Sequence, residues 1–364
     1  MNVTGIICEY NPFHNGHIYH INRAKELTTP DLLICVLTGN FNQRGDVSII
    51  DKFKKTEIAL KNGIDLVVEL PYICATQSAY IYASKAIDIL NKLNTNNIVF
   101  GSETNNLKEL QKYSELEVDV TRLKELLRQG ESYPKAYGLL SGSMYPNDIL
   151  AVAYLKAIKN TNIKAYSIQR TNSYNSKEIN EISSASAIRN AIYNNINVSK
   201  ALSYEIKEPV FINKLYPYLR NILITQPKHE LQTIHLVSEG IENMLIKNAI
   251  AYDNYEDFIS HSISRRYTKA RIQRTICQIM CHITKQEAKV NDDYIRILGF
   301  NNKGKDYLNS IKKNESLNLV TQFKNIPESS KNIEWKASVI YSSLLENPNE
   351  YLKKELKGPI IINQ

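Results

Sequence analysis

Five short runs rich in valine and isoleucine punctuate the first half of the chain: Val3–Cys8, Leu32–Leu37, Asp65–Leu70, Asn97–Phe100 and Lys164–Gln169. The stretches Gly16–Leu27, Asp51–Asn62, Gln77–Leu93 and Asn147–Lys159 lie between them and carry helical periodicity. Few folds accommodate that alternation. A strand, a crossover helix and a second strand in one sheet wind right-handed, so the strands lie parallel and helices cover both faces. The expectation is an α/β fold, a Rossmann-like doubly wound parallel sheet. Ligands of such sheets bind in the crevice beyond the carboxyl ends of the strands.

Tyr113–Tyr145 reads as a helical insertion, and Ser184–Asn194 as the last helix of the sheet unit. After about residue 200 the alternation stops. Ala201–Lys285 is mostly helical in pattern, Val290–Lys313 a small mixed unit, and a last helix is expected near Trp335–Leu345. The 364 residues therefore divide into an expected catalytic unit, 1–200, and a mostly helical, basic unit, 201–364. The formal net charge is +8, which favours an anionic partner. No apolar run approaches the ~18 residues of a membrane span. The first residues lack the basic head of a secretory leader. Five cysteines, an odd number, suit a reducing cytoplasm.

Three of the seven histidines crowd into "EYNPFHNGHIYH", Glu9–His20, directly after the first strand. His14 and His17 are three apart and face the same way on a helix start. Gly16 lets a flat base or ribose approach the backbone. The helix start adds unpaired N–H groups and partial positive charge. Together these suit a triphosphate, with two imidazoles donating to oxygens that gain charge as the α-phosphate is attacked. His20 points partly off that face and reads more readily as structural. A second signal is "ISSASAIR", Ile182–Arg189. Ser184 can cap a helix, Ser186 and the first N–H groups can hold phosphate, and Arg189, one turn in, can pair with it.

These residues resemble the nucleotidyltransferase superfamily, whose paired signatures are H-x-G-H and S-S-T-x-x-R; here Ala185 replaces a serine and Ser186 a threonine. Further motifs narrow the likeness: "GNFNQRG" (Gly39–Gly45), "DLVVELP" (Asp65–Pro71), "FGSE" (Phe100–Glu103), "PNDILA" (Pro146–Ala151) and "SRRYTKARIQR" (Ser264–Arg274). With the histidine turn they are similar to the tRNA(Met) cytidine acetate ligase family, over nearly all the chain and thinning after about Lys313.

That resemblance implies an H-x-G-H nucleotidyltransferase fold and a two-step reaction. ATP and acetate give acetyl-adenylate and pyrophosphate; the acetyl group then passes to N4 of the wobble cytidine of elongator tRNA(Met). The implied catalytic residues are His14, His17 and Arg189. Implied ATP contacts are Ile7, Cys8, Glu9, Tyr10, Asn11, Pro12, Phe13, His14, Asn15, Gly16, His17, Ile18, Tyr19 and His20, together with Gly101, Asn147, Arg170 and Ser186. Mg2+ is expected to enter with ATP. After Arg170 the chain reads "TNSYNS", where relatives tend to carry a glycine and a Tyr-His or Tyr-Asp pair, a departure from the pattern.

His261–Arg274 carries Arg265, Arg266, Lys269, Arg271 and Arg274 and no acid. It is expected to be a helix that tracks a phosphate backbone, with Tyr267 available to stack on an unpaired base. Arg44, between Gln43 and Gly45, is a candidate for gripping a carboxylate or phosphate. Lys52 is a weaker candidate for that role than Arg44. Cys277 and Cys281 lack the further ligands of a zinc site, and no metal site is expected. No G-x-x-x-x-G-K-[ST] loop occurs. Two other readings stay open from the residues alone: a cofactor-forming adenylyltransferase, and a non-catalytic RNA-binding protein that senses ATP.

Overall fold

The computed structural model describes residues 1–142, 144–170, 179–290, 292–313 and 317–363. The "TNSYNS" stretch lies outside them. Among the described residues eight strands form one sheet: β1 Val3–Cys8, β2 Leu32–Thr38, β3 Leu66–Leu70, β4 Asn97–Ser102, β5 Lys164–Gln169, β6 Ile295–Phe300, β7 Leu319–Val320 and β8 Ile360–Ile361. The order is β5-β4-β1-β2-β3-β6-β7, with β8 also on β6. The first five strands are parallel. From β1 the chain winds one way through β2 and β3, then returns to lay β4 on the other side of β1. The strand order thus reverses between β1 and β4, which is where a doubly wound sheet opens a crevice.

The central strands are apolar on both faces because helices cover both. Every residue of β2 and β3 is buried. One core packs Ile34, Val36 and Val68 against the helices Ala79–Lys92 and Pro146–Ile158. The opposite face packs Leu33, Cys35 and Val67 against Ile21 and Ala24 of the helix Asn15–Thr28 and Ile58 and Ala59 of the helix Lys52–Lys61. The alternation of strand side chains sends successive residues to opposite cores.

The sheet does not end where the alternation in the sequence ends. β6 comes from the distal part of the chain and pairs antiparallel with β3, Glu69 opposite Arg296. That register buries a charged cluster. Lys52 Nζ reaches Glu69 at 2.8 Å and Glu355 at 2.9 Å, and Arg296 bonds both carboxylates. Burial raises the Glu355 carboxyl, but Lys52 and Arg296 outweigh it and hold it down to about 2. Lys52, the weaker anion-gripping candidate, is a buried tie between the sheet and the helix Pro348–Leu356. Removing one member of such a buried cluster typically costs ~3–5 kcal/mol.

A further core joins Phe41, Val47 and Tyr72 to the distal helices through Tyr216, Phe258, Ile276 and Tyr341. The loop after β2 is thus embedded in the helical half. The expected insertion consists of the helices Leu107–Glu115, Val120–Arg128 and Tyr133–Ser141. The expected basic helix is broken: Arg265 and Arg266 lie in a turn, while Lys269, Arg271 and Arg274 belong to the helix that follows it. Tyr255–Ser262 ends before Arg265, and Lys269–Met280 begins at Thr268, whose side chain caps it through Arg271 N. The helix Glu328–Ser342 covers the expected terminal one, and Pro348–Leu356 follows it. Among the described residues no helix is long and apolar enough to cross a membrane.

Candidate active site

The turn leaving β1 puts Tyr10 in the left-handed region (φ 48°), carries a cis Asn11–Pro12 bond, and ends at His14, the cap of the next helix. The two histidines hold each other's backbone. His14 Nδ1 accepts from Gly16 N at 3.1 Å, and His17 Nδ1 accepts from His14 N at 3.1 Å. This reciprocal arrangement is a capping box in which imidazoles replace the usual hydroxyl and carboxamide. Each Nδ1 is an acceptor, so each neutral ring carries its proton on Nε2. The rings lie 3.9 Å apart between centroids, and Tyr10 sits edge-on against His17 at 4.8 Å.

Both rings are kept neutral. Burial, then Arg170 and Arg189, lower the His14 pKa to about 3. Burial, then His14, His20 and Arg170, hold His17 well below the ordinary value. The pair therefore offers two Nε2–H donors without adding charge of its own. Gly16 is required by contact: a Cβ there would sit 2.8 Å from His14 Cε1.

The second signature docks on the first. Ser184 caps the helix Ala185–Tyr193 by accepting from Ala187 N, and its Oγ lies 3.1 Å from Ser186 Oγ. Arg189 Nη1 donates to Asn11 O at 2.7 Å. Asn15 Nδ2 donates to Glu181 O at 2.8 Å, and Ile182 lies against Gly16. Residues more than 160 positions apart thus bring two helix starts and an arginine to one place. Arg170, just beyond β5, completes it: a Cβ on Gly101 would touch the Arg170 side chain at 3.4 Å.

Other expected residues have other work. Ile7 and Cys8 belong to β1, and Pro12 and Phe13 are buried beneath the turn. Ile18 and Tyr19 pack on the core, and His20 Nε2 lies 3.0 Å from Val99 O. Glu9 Oε1 accepts from Gln43 N. Asn147 opens its helix as expected, but its Nδ2 donates to Glu103 Oε1 at 2.6 Å. The Glu103 carboxylate also takes Asn147 N and Asp148 N, so it fills this helix start. Arg44 is exposed at the tip of the loop after β2.

The basic segment divides. Arg265, Arg266 and Lys269 are exposed. Arg271 turns inward, its Nη2 donating to Leu236 O at 3.0 Å and Ser238 Oγ at 2.9 Å. Arg274 Nη1 donates to Gln43 O, and burial lowers its pKa to about 10. Tyr267 is buried, with its hydroxyl on Glu239 O, so it offers no face to a base. The expected five-cation stripe is a three-cation surface with two arginines holding loops beneath it. Cys277 and Cys281 are buried thiols, Cys277 donating to Gly45 O.

One anchoring residue escaped the sequence reading. Lys55 Nζ reaches Glu9 O, Thr38 O, Gly39 O and Ser48 Oγ, all within 2.9 Å, fastening the ends of β1 and β2 together. Burial lowers its pKa to about 7, against Glu9, Glu69 and Asp51. The signal was present: Lys52, Lys55, Thr56 and Ala59 follow one helical stripe, and that stripe is the buried one.

Comparison with known proteins identifies the family. The family model described as HIGH Nucleotidyl Transferase matches residues 1–356. The tRNA(Met) cytidine acetate ligase of Clostridium perfringens is 37% identical, over 99% of this chain and 100% of that protein. Its counterpart from Oceanobacillus iheyensis is 36% identical over 100% of both. The crystal structure of Thermotoga maritima TmcAL bound with alpha-thio ATP superposes with a TM-score of 0.88 at 30% identity, and the apo form with 0.90, each covering 100% of both chains. The chain belongs to the HIGH nucleotidyl transferase family.

Proposed function

We propose that the protein is an ATP-dependent tRNA(Met) cytidine acetate ligase. The observation that carries this is the pair of neutral imidazoles, each with its proton on Nε2, set beside Arg189 and the Ser184 helix start. Near-full-length identity of 36–37% to proteins of that name supports the choice of substrates.

In the first step an acetate oxygen attacks the α-phosphorus of ATP and pyrophosphate leaves. Charge grows on the α-phosphate oxygens as the bond forms. Donors already aimed and neutral stabilise that charge with no proton transfer and little reorganisation. Arg170 and Arg189, with the N–H groups behind Ser184 and Ser186, hold the phosphates. Mg2+ arrives with the triphosphate. We assign it no protein ligand, because the described residues hold no group of three or more His, Cys, Asp or Glu side chains placed to bind a metal ion. In the second step the cytidine N4 amine attacks the acetyl carbonyl of the mixed anhydride. The N–C bond forms, the C–O bond to AMP breaks, and a proton is released. Arg265, Arg266 and Lys269 hold the tRNA backbone, while Arg271 and Arg274 act on it through the loops they brace. A tRNA substrate puts the enzyme in the cytoplasm.

The test is purified protein with labelled acetate, ATP and tRNA. Label in N4-acetylcytidine after nuclease digestion, dependent on ATP and not on acetyl-CoA, is the expected result. Consumption of ATP only with a small nucleotide or pantetheine phosphate would instead identify a cofactor-forming adenylyltransferase.

A further inference from the structure

With Tyr267 buried, the segment expected to bind RNA has no aromatic of its own to offer. The surface around it does. On the helix Tyr133–Ser141, Tyr133 is 58% exposed. Its ring stacks on Tyr137, with centroids 6.0 Å apart and planes 22° from parallel. Tyr137 is fixed from below: its hydroxyl accepts from Lys156 Nζ at 3.0 Å, and the same ammonium lies 5.4 Å from its ring centroid. Tyr133 is thus the outer leaf of a braced two-ring stack. At the end of the same segment Tyr145 is 61% exposed, immediately before Pro146 and Asn147.

This stack and the basic turn are one surface. Arg265 Nη2 bonds Glu131 Oε1 at 2.6 Å, two residues before Tyr133, and Ser132 N donates to Arg265 O at 3.1 Å. Lys135 reaches the same carboxylate at 3.2 Å. Arg266 Nη2 approaches Gly130. Glu131 is buried and the cations around it are exposed, so the outward charge of the patch is positive. A flat exposed ring ringed by cations matches a strand whose bases are unstacked and whose phosphates run alongside.

We propose that Tyr133, backed by Tyr137 and flanked by Arg265, Arg266 and Lys135, is a stacking platform for an unpaired base of the RNA substrate. It rests on the ligase reading and deepens it. The platform holds a base of the single-stranded loop, while the cations hold the phosphates on either side. A duplex cannot present a base face to it.

The test is fluorescence anisotropy with three probes: a tRNA(Met) transcript, a short single-stranded oligoribonucleotide, and the same strand annealed to its complement. Base–aromatic stacking sets the scale, so Tyr133→Ala is expected to weaken the first two roughly 5- to 150-fold and leave duplex affinity unchanged. Tyr133→Trp restores binding. The salt dependence of Tyr133→Ala equals wild type, because no charge is removed. A thermal unfolding midpoint confirms that the variant folds. Wild-type affinity in Tyr133→Ala, equal losses on duplex, or no restoration by tryptophan overturns the platform even if tRNA acetylation proceeds. A wild-type protein that neither binds nor acetylates tRNA overturns the platform and the ligase reading together.

Discussion

The turn after β1 and the basic segment Arg265–Arg274 both run into a helix start, yet they are built on opposite principles. In the first, side chains and backbone are mutually committed. Each imidazole accepts one particular N–H, and each ring's position follows from that bond. In the second, five cations of similar type divide by direction, three outward and two inward. A motif whose residues are tied by their own hydrogen bonds can be interpreted locally. A run of like charges cannot, because only the rest of the fold decides which way each side chain turns.

The sharpest challenge falls on the histidine turn. His17→Ala is expected to lower acetyl-adenylate formation roughly 10²–10³-fold, the scale of one lost charge-stabilising donor. His17→Gln keeps an acceptor for His14 N and so keeps the cap, but loses the imidazole; it should be impaired while melting near wild type. Near-normal ATP–pyrophosphate exchange in both variants would show that the ring is only a cap.

Gly45, in the loop after β2, is where the basic segment meets the sheet half of the molecule. It has φ 77°, and a Cβ there would lie 2.2 Å from Arg274 N. Gly45→Ala is expected to cost about 3 kcal/mol or more by urea unfolding, from positive-φ strain plus the clash. A loss under 1 kcal/mol would mean that the loop and the distal helix are not rigidly joined.

The neutral His14 has a signature in acid. Its folded pKa of about 3 lies below the unfolded value near 6.5. The unfolded chain therefore binds the proton first, and the stability this group gives above pH 6.5 is lost as pH falls toward 3. Between pH 6.5 and 5 the loss is about 2 kcal/mol. His14→Asn retains an N-cap acceptor and should flatten that slope. An unchanged slope would put the acid sensitivity elsewhere.

The smallest effects belong to the outward cations. Arg266→Ala with Lys269→Ala should shift stability by no more than about 0.5 kcal/mol. The log–log salt slope of tRNA binding should flatten by ~0.7 to 0.9 for each phosphate contact removed. Arg274→Ala should do the reverse, costing about 1–3 kcal/mol of stability through the exposed Gln43 carbonyl and lost packing. If the two behave alike, the division of the segment fails.

Much of the parallel sheet was legible because β1–β4 are apolar and helix-separated. The site was legible where chemistry and capping coincide, at His14, His17, Ser184 and Arg189. β6 was not legible as a sheet strand: it carries Arg296, and its partner Glu69 is 227 positions away, so neither half of the buried pair announces the other. Asn147 was placed at its helix start from local pattern, but Glu103, its partner, lies 44 positions earlier. The burial of Tyr267 depends on a carbonyl 28 residues upstream. What the sequence withheld was the identity of distant partners.

The helix starts at the carboxyl edge of the sheet are not equivalent. The one at Lys52 is capped by the Asp51 carboxylate, and the one at Pro146 by Glu103. Those at Asn15 and Ala185 are capped by an uncharged ring and a hydroxyl. A polyanion drifting into the crevice is repelled from the first two and drawn to the second two. The direction in which it settles is thereby chosen in advance, by which dipoles the chain has already neutralised and which it has kept unspent.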